Sequence, residues 1–567
     1  MRSTPSLTDR VMYVIARHHA EAVYRRFMAA TRKATEVQKQ VLAAHVRRNA
    51  DSDFGRDHLF DRIGSVDAFR RQVPILRYED HRPYIERVCN GRLQAMFGGR
   101  QRVRMFALTS GTTDRPKYIP VTDEFLRTFR RGWNVFGIKA LLDHPQAFLR
   151  GIVQVTSRMD ESRTPAGIPC GAITGLMAAT QKRLVRKYYV APQCTAQITE
   201  PVAKYYAIMR LAIAQDVAFM ITANPATQLK LARTADEHRE RLIRDVHDGT
   251  LSFELFVPAQ VFASLKDRLR PDHERARELE GIVERYGALL PKHYWNLAFI
   301  ANWTGGTMGL YLQDFPKYFG DVPVRDIGLL ASEGRISIPM EDYTPAGILD
   351  TQSHFFEFVP PDRIEETNPK TFLCHELDVG QEYFVLMTTA SGLYRYHIGD
   401  LVRVVGYEGQ APLIEFLSKG AHICSLAGEK LTEHQVMQAV SQAAGRTGIG
   451  VTGFVLAPRW GDPPYYMLHI ETRGAGDEVL EELTAEVDVR LSTLNIEYAE
   501  RRRSLRLGAI RGNALPDGFL ARLDHEQAES RRRGNEQFKH RYLYSRPGED
   551  AAFPSRQALG STGRPTE

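Results

Sequence analysis

The chain has few cysteines. There are five in 567 residues, Cys89, Cys170, Cys194, Cys374 and Cys424, far apart and with no CxxC pair. That excludes a disulfide-built scaffold and a zinc ribbon, and it fits a reducing, cytoplasmic setting. A long apolar run is also missing. The best stretch, Ala207 to Thr222, is interrupted by Arg210, Gln215 and Asp216. It is too short to span a bilayer and reads as a helix running into a buried strand, so no membrane partner is expected. No signal peptide is expected either, because Asp9, Arg10, Arg17 and His18 break the apolar residues near the start. Neither sign of charge dominates: Lys and Arg total 75 against 68 Asp and Glu, a net +7. The excess gathers at Arg501-Arg502-Arg503 and Arg531-Arg532-Arg533 without interleaved aromatics. These clusters read as solvated helix faces, with no specific nucleic acid as partner. Gly448 to Gly453 matches GxGxxG, but a strand follows it where a dinucleotide fingerprint needs a helix.

What is present is material for more than one domain. Residues 6 to 50 and the stretch from Glu200 to about Leu290 carry apolar positions at helical spacing. Short apolar runs at Val153, Ala218 to Thr222, Leu297 to Ala301 and Ile327 to Ala331 read as buried strands between helices, hence an α/β arrangement with mainly parallel sheet. From Phe355 the pattern turns β-rich, with strands at Phe355 to Val359, Tyr383 to Thr389 and Leu401 to Gly406. After Leu417 it restarts as helix 431–446, strand 451–456, strand 465–471, helix 477–494, strand 504–510 and helix 518–533. The expected organisation is a large domain, 1–417, a small α+β domain, 418–545, and a disordered tail, 546–567.

Chemistry concentrates in Thr109-Ser110-Gly111-Thr112-Thr113-Asp114-Arg115-Pro116-Lys117, which follows a predicted strand, Val103 to Leu108. A strand feeding a hydroxyl-rich turn can wrap N–H groups and hydroxyls around phosphates. It is not a Walker A loop, since Pro116 and Tyr118 flank the lysine; an ordinary Ser/Thr-rich turn is the alternative. Ser332-Glu333 follows a predicted strand, Ile327 to Leu330, where a carboxylate can hold magnesium against phosphate oxygens or simply occupy a turn. Gly392-Leu393-Tyr394-Arg395-Tyr396-His397-Ile398-Gly399-Asp400 sets an aspartate after a turn, where it can hold a ribose or serve as turn residue. Phe416 to Gly420 reads as a hinge leading into Glu429-Lys430-Leu431-Thr432-Glu433, and Gln537-Phe538-Lys539 lies near the end of the small domain.

Taken in order, these segments resemble the Gretchen Hagen-type acyl-acid amido synthetases, the auxin-responsive, auxin-conjugating family of plants and its bacterial relatives. That family lies within the acyl-adenylate-forming superfamily. GLYRYHIGDLVRVVGY is similar to the family's GLYRYRVGD-type segment, Trp303 to Met308 to its TGSM-type segment, and Phe355 to Phe358 to its YFEF segment. The likeness spans roughly residues 70 to 545.

The resemblance implies a large adenylate-forming domain with mixed sheets and a β-rich part, plus a small mobile C-terminal domain. It implies a cytoplasmic ligase using ATP and Mg2+ that adenylates a small carboxylic acid, then passes the acyl group to an amino acid or amine. By the same resemblance Thr109, Ser110, Gly111, Thr112, Thr113 and Lys117 cradle phosphates. Thr307 and Ser332 lie by the nucleotide, Glu333 holds magnesium, Asp400 the ribose, and Met308 borders the acid. Lys539 enters from the small domain for adenylation, with Lys419 at the hinge and Lys430 as a contact of the second conformation. Two positions depart from the pattern: Asp114 stands where related loops carry glycine, and Lys419 where they carry arginine. An acyl-CoA ligase shares the first step, and a non-catalytic basic scaffold or RNA-binding relative is the reading from another class.

Overall fold

The structure is a computed structural model. It describes residues 7–99, 101–109, 117–181, 183–305, 308–364, 366–419, 423–424, 426–427, 429, 431–472, 476–503, 505, 507–530 and 540–554. The chain divides into two compact units, Met1–Ile398 with Val402–Phe416, and Gly399–Leu401 with Leu417–Glu567. No described helix is long and apolar enough to cross a membrane.

The first unit holds three sheets of four or more strands. One is wholly parallel, in the order Gly151–Gln154, Val217–Ile221, Phe299–Asn302, Val324–Asp326. Its central strand is buried at every position, as expected of parallel strands covered on both faces. The last strand corrects the sequence expectation. It ends at Asp326, and residues 327–329 lead irregularly into a two-residue strand, Leu330–Ala331. Gly328 is the reason: its φ is +88°, and a Cβ there would lie 2.3 Å from the Ser337 carbonyl oxygen.

A second sheet orders Lys117–Thr122, Val103–Thr109, Pro169–Gly171 and Ser162–Arg163. Its edge strand runs directly into the helix Asp123–Asp143. Thr122 caps that helix, its Oγ1 accepting from Phe125 N at 3.1 Å and donating to the Ala390 carbonyl at 3.0 Å. Asp123 and Glu124 follow in the first turn, where negative charge suits the helix dipole. Phe125, Phe129, Phe136 and Ala140 form its buried stripe.

The third sheet has six strands, in the order Ser337–Ile338, Gly347–Leu349, Ala411–Lys419, Tyr396–Glu408, Glu382–Thr388, Phe355–Val359. Tyr396–Glu408 is longer than the expected Leu401 to Gly406 and takes in Asp400, so that residue sits within a strand and not in a turn. Gly399 beside it has φ +83°.

The second unit packs helices on a three-stranded sheet, Val451–Arg459, Tyr465–Thr472 and Arg511–Ala514. Its helix Glu433–Thr447 starts in a reciprocal capping box between Thr432 and Gln435 and stops at Gly448, φ +71°. That explains the GxGxxG match as a helix stop before a strand. Asp477–Leu494 is helical as expected. Of the expected strand at 504–510, the described residues 505 and 507–510 are in no strand. The helix Ile496–Arg503 ends in a turn whose Leu505 has φ +58°, and the strand begins only at Arg511. Residues 546–554, expected to open a disordered tail, pack onto this unit. Asp550 is 1% exposed and meets His469 Nε2 at 2.6 Å and Arg459 Nη2 at 2.9 Å. Arg502 is not a free surface charge either, since it clasps Asp488 at 2.6 Å.

Candidate active site

The hairpin Val103–Thr109/Lys117–Thr122 brings Thr109 directly opposite Lys117. It therefore closes the hydroxyl-rich loop, whose Ser110, Gly111, Thr112, Thr113 and Asp114 lie outside the described residues. At the loop's exit, Lys117 Nζ lies 5.4 Å from the centroid of the Tyr78 ring and 6.0 Å from that of Tyr396. It donates to the Tyr396 hydroxyl at 3.4 Å. That hydroxyl donates in turn to Glu333 Oε1 at 3.3 Å. One tyrosine oxygen thus joins the loop lysine to the carboxylate picked out as a magnesium ligand, from segments more than 200 residues apart.

Each side chain is held by local structure. Tyr78 opens the helix Tyr78–Cys89, and its hydroxyl accepts from Tyr118 N at 2.7 Å. Burial raises its pKa, so it stays a neutral phenol. Glu333, 5% exposed, and Ser332 form the turn between the paired strands Leu330–Ala331 and Gly334–Arg335. Gly334 lets this turn in: a Cβ there would sit 2.3 Å from His354 Nε2.

Tyr396 is fixed by its neighbours. Arg395, 1% exposed and at φ +42°, grips Glu357 through two bonds, Nε to Oε2 at 2.8 Å and Nη2 to Oε1 at 3.1 Å. It also donates to the Val73 carbonyl at 2.8 Å. Arg70 and Thr371 complete Glu357, at 3.0 and 2.6 Å. Burial alone would raise the Glu357 carboxyl, but the charge and hydrogen bonds of Arg395 win and hold it below the usual range. The Phe355–Phe358 and Gly392–Asp400 segments are therefore two halves of one buried ion pair. Next to it, His81 Nε2 accepts from Tyr394 N at 3.0 Å while Nδ1 faces the Arg77 carbonyl at 3.1 Å. Only the neutral Nδ1–H tautomer satisfies both, and burial pushes its pKa down to about 4.

Two contributors escaped the sequence reading. Tyr78 carries no local signal, since its partner Tyr118 lies 40 residues on. Asp326 ends a strand and accepts from Thr304 N at 2.6 Å, Thr304 Oγ1 at 2.8 Å and Gly328 N at 2.6 Å. Burial pushes its carboxyl up to about 6 against the pull of these bonds. It anchors the start of the Trp303–Met308 segment. Within that segment Thr307 is outside the described residues, and Met308 opens a short helix, Met308–Leu312, half-buried.

Asp400 is buried and falls in the second unit. Lys419 ends the strand Ala411–Lys419, its side chain outside the described residues, as are Lys430 and Lys539.

Comparison with known proteins decides the family. The GH3 family N-terminal domain matches residues 23–324, the central domain 347–419 and the C-terminal domain 434–547. The chain belongs to the GH3 family. Jasmonoyl–L-amino acid synthetase JAR6 of Nicotiana attenuata is 26% identical over 535 residues, covering 89% of this chain and 90% of that protein. Indole-3-acetic acid-amido synthetase GH3.2 of Arabidopsis thaliana is 25% identical, covering 73% and 79%. Among solved structures, a GH3.15 acyl acid amido synthetase superposes with TM-score 0.78 at 21% identity, over 92% of this chain and 94% of that one. The same enzyme with 2,4-DB gives 0.80 at 20% identity, over 95% of each. This GH3 protein has the fold of the acyl acid amido synthetases, and its family is one of ligases that form amide bonds.

Proposed function

We propose that this GH3 protein is a cytoplasmic, ATP-dependent acyl-acid amido synthetase acting on a small carboxylic acid and an amino acid or other amine. The observation that carries the reading is the Lys117–Tyr396–Glu333 line at the mouth of the hydroxyl-rich loop. In the first step an oxygen of the acid's carboxylate attacks the α-phosphorus of ATP and pyrophosphate leaves. The acid is already ionised, so this step needs in-line positioning and charge neutralisation, not a base. Lys117 supplies positive charge at the loop, and Tyr396 links it to Glu333. Thr109, Ser110, Gly111, Thr112, Thr113, Thr307 and Ser332 supply hydroxyl and N–H donors to the nucleotide. In the second step the amine nitrogen attacks the acyl carbon, AMP leaves, and the nitrogen gives up a proton.

Glu333 fits a magnesium ion. Magnesium is held by one or two carboxylates together with substrate phosphates, and Glu333 is a buried carboxylate on the turn between Leu330–Ala331 and Gly334–Arg335. The ion would neutralise phosphate charge there. Residues 1–417 form the large domain in this reading and 418–545 a small mobile one. Lys539 comes from the small domain during adenylation; Asp400 holds the ribose, and Lys419 and Lys430 serve the hinge and the second conformation.

Lys117→Ala tests the carrying observation. It should lower acid-dependent pyrophosphate release by roughly 10²–10³-fold, the scale of losing one charge-stabilising donor. An unchanged rate would remove Lys117 from the site.

A further inference from the structure

The helix Asp123–Asp143 turns Trp133 and Phe136 to one side, where Arg335 stacks on them, 4.5 and 5.9 Å from their ring centroids. Its opposite side lines a groove of about 880 Å³. We propose that this groove is a second ligand site, for an amphiphilic anion: a carboxylate or phosphate head on an aliphatic tail.

The groove is walled by six arginines, Arg26, Arg102, Arg104, Arg127, Arg130 and Arg131, and by one acid, Asp123. Asp123 is taken by Arg104, and neighbouring Glu124 by Arg127. Arg130 spends one nitrogen on the Thr180 carbonyl at 2.6 Å. Arg131 reaches Ser353 Oγ at 3.3 Å, while its Nε is buried with no partner. Arg131 is also offset by the buried Asp350 carboxyl. Arg26, Arg102 and Arg130 meet no carboxylate among the described residues and are the charges that give the groove its positive potential. Their planar forks match the two oxygens of a carboxylate or phosphate.

The floor has the other character. Phe27, Leu126, Val135 and Leu176 are each under 9% exposed and offer a tail an apolar bed. The volume suits a small molecule. Strand register separates this groove from the loop described above. Arg102 and Arg104 flank Val103, which pairs with Thr122, whereas Thr109 and Lys117 close the other end of the hairpin. Six residues of strand put the two ends about 20 Å apart.

Calorimetric titration of the full chain with decanoate and with decyl phosphate tests the proposal, with decanol as the uncharged control. Saturable binding of either anion is expected, at least about tenfold tighter than decanol; the tighter of the two names the head group. The double variant Arg26→Gln/Arg102→Gln removes two exposed charges and should unfold in urea like the parent while losing about tenfold in affinity for the anion. A second variant, Lys117→Ala, should retain this binding, since the groove lies at the far end of the hairpin. Absence of saturable binding, decanol binding equal to that of the anions, or affinity unmoved in the arginine variant would each overturn the proposal.

Discussion

His81 shows how one buried side chain couples this site to pH. Its ring is fully buried and its pKa falls to about 4, because burial penalises the charged form. In the unfolded chain the same ring takes a proton near pH 6.5. Between those values the unfolded state binds more protons, so stability rises with pH through the window. The contribution is complete above about 6.5 and lost as pH falls toward 4, on the order of 3 kcal/mol for this residue. His45, pushed down to about 3 by burial and by Arg48, acts with the same sign. Urea midpoints measured from pH 7 to pH 4.5 should fall steadily, and His81→Gln should flatten that slope. A slope untouched by the substitution would assign the acid sensitivity elsewhere. Nothing near His81 in the chain announces this role, because its acceptor nitrogen serves Tyr394, 313 residues away.

Among the elements, the buried pair Arg395–Glu357 ties the strand Phe355–Val359 to the start of Tyr396–Glu408. Both side chains are 1% exposed. Removing one partner leaves a buried charge short of its counter-ion, which costs about 3–5 kcal/mol. Arg395→Ala should therefore lower the urea midpoint by that measure, and Arg395→Lys should recover only part, since it loses the two-pronged fork. A variant as stable as the parent would contradict a structural role for the pair. Elements were legible where the signal was local: the helix Glu433–Thr447, the aromatic-rich run Phe355–Val359, the apolar run at Phe299. They were misplaced where distant contacts decide. The Val324–Asp326 strand stops early because Gly328 approaches the Ser337 backbone. The expected strand begins only at Leu401, with Asp400 placed after a turn as a ribose holder or turn residue, because Gly399-Asp400 is good turn chemistry; sheet pairing draws Asp400 into a longer strand. Segment 504–510 has strand composition but follows a helix through a turn with a positive φ at Leu505.

For the whole molecule, the order of the motifs carried more than any one of them. Loop, Ser332-Glu333, the Gly392–Asp400 segment and the terminal lysine are each weak alone; their order along 567 residues matched a family whose three domain models match residues 23–324, 347–419 and 434–547. What the order could not supply was spatial contact, such as Tyr396 bridging Lys117 and Glu333. In the proposed cycle the two units divide the work, Lys539 being needed for adenylation alone. Lys539→Ala should abolish acid-dependent pyrophosphate release while leaving ATP binding intact, as read by nucleotide titration. Undiminished pyrophosphate release would place the adenylation lysine elsewhere.

The central claim is amide formation from an activated acid. Mass spectrometry of a reaction holding the protein, ATP, magnesium, a panel of carboxylic acids and mixed amino acids tests it directly. The account predicts AMP together with a new mass equal to acid plus amino acid less water, formed only when both are present. AMP with no amide, and a thioester when coenzyme A replaces the amines, would contradict it.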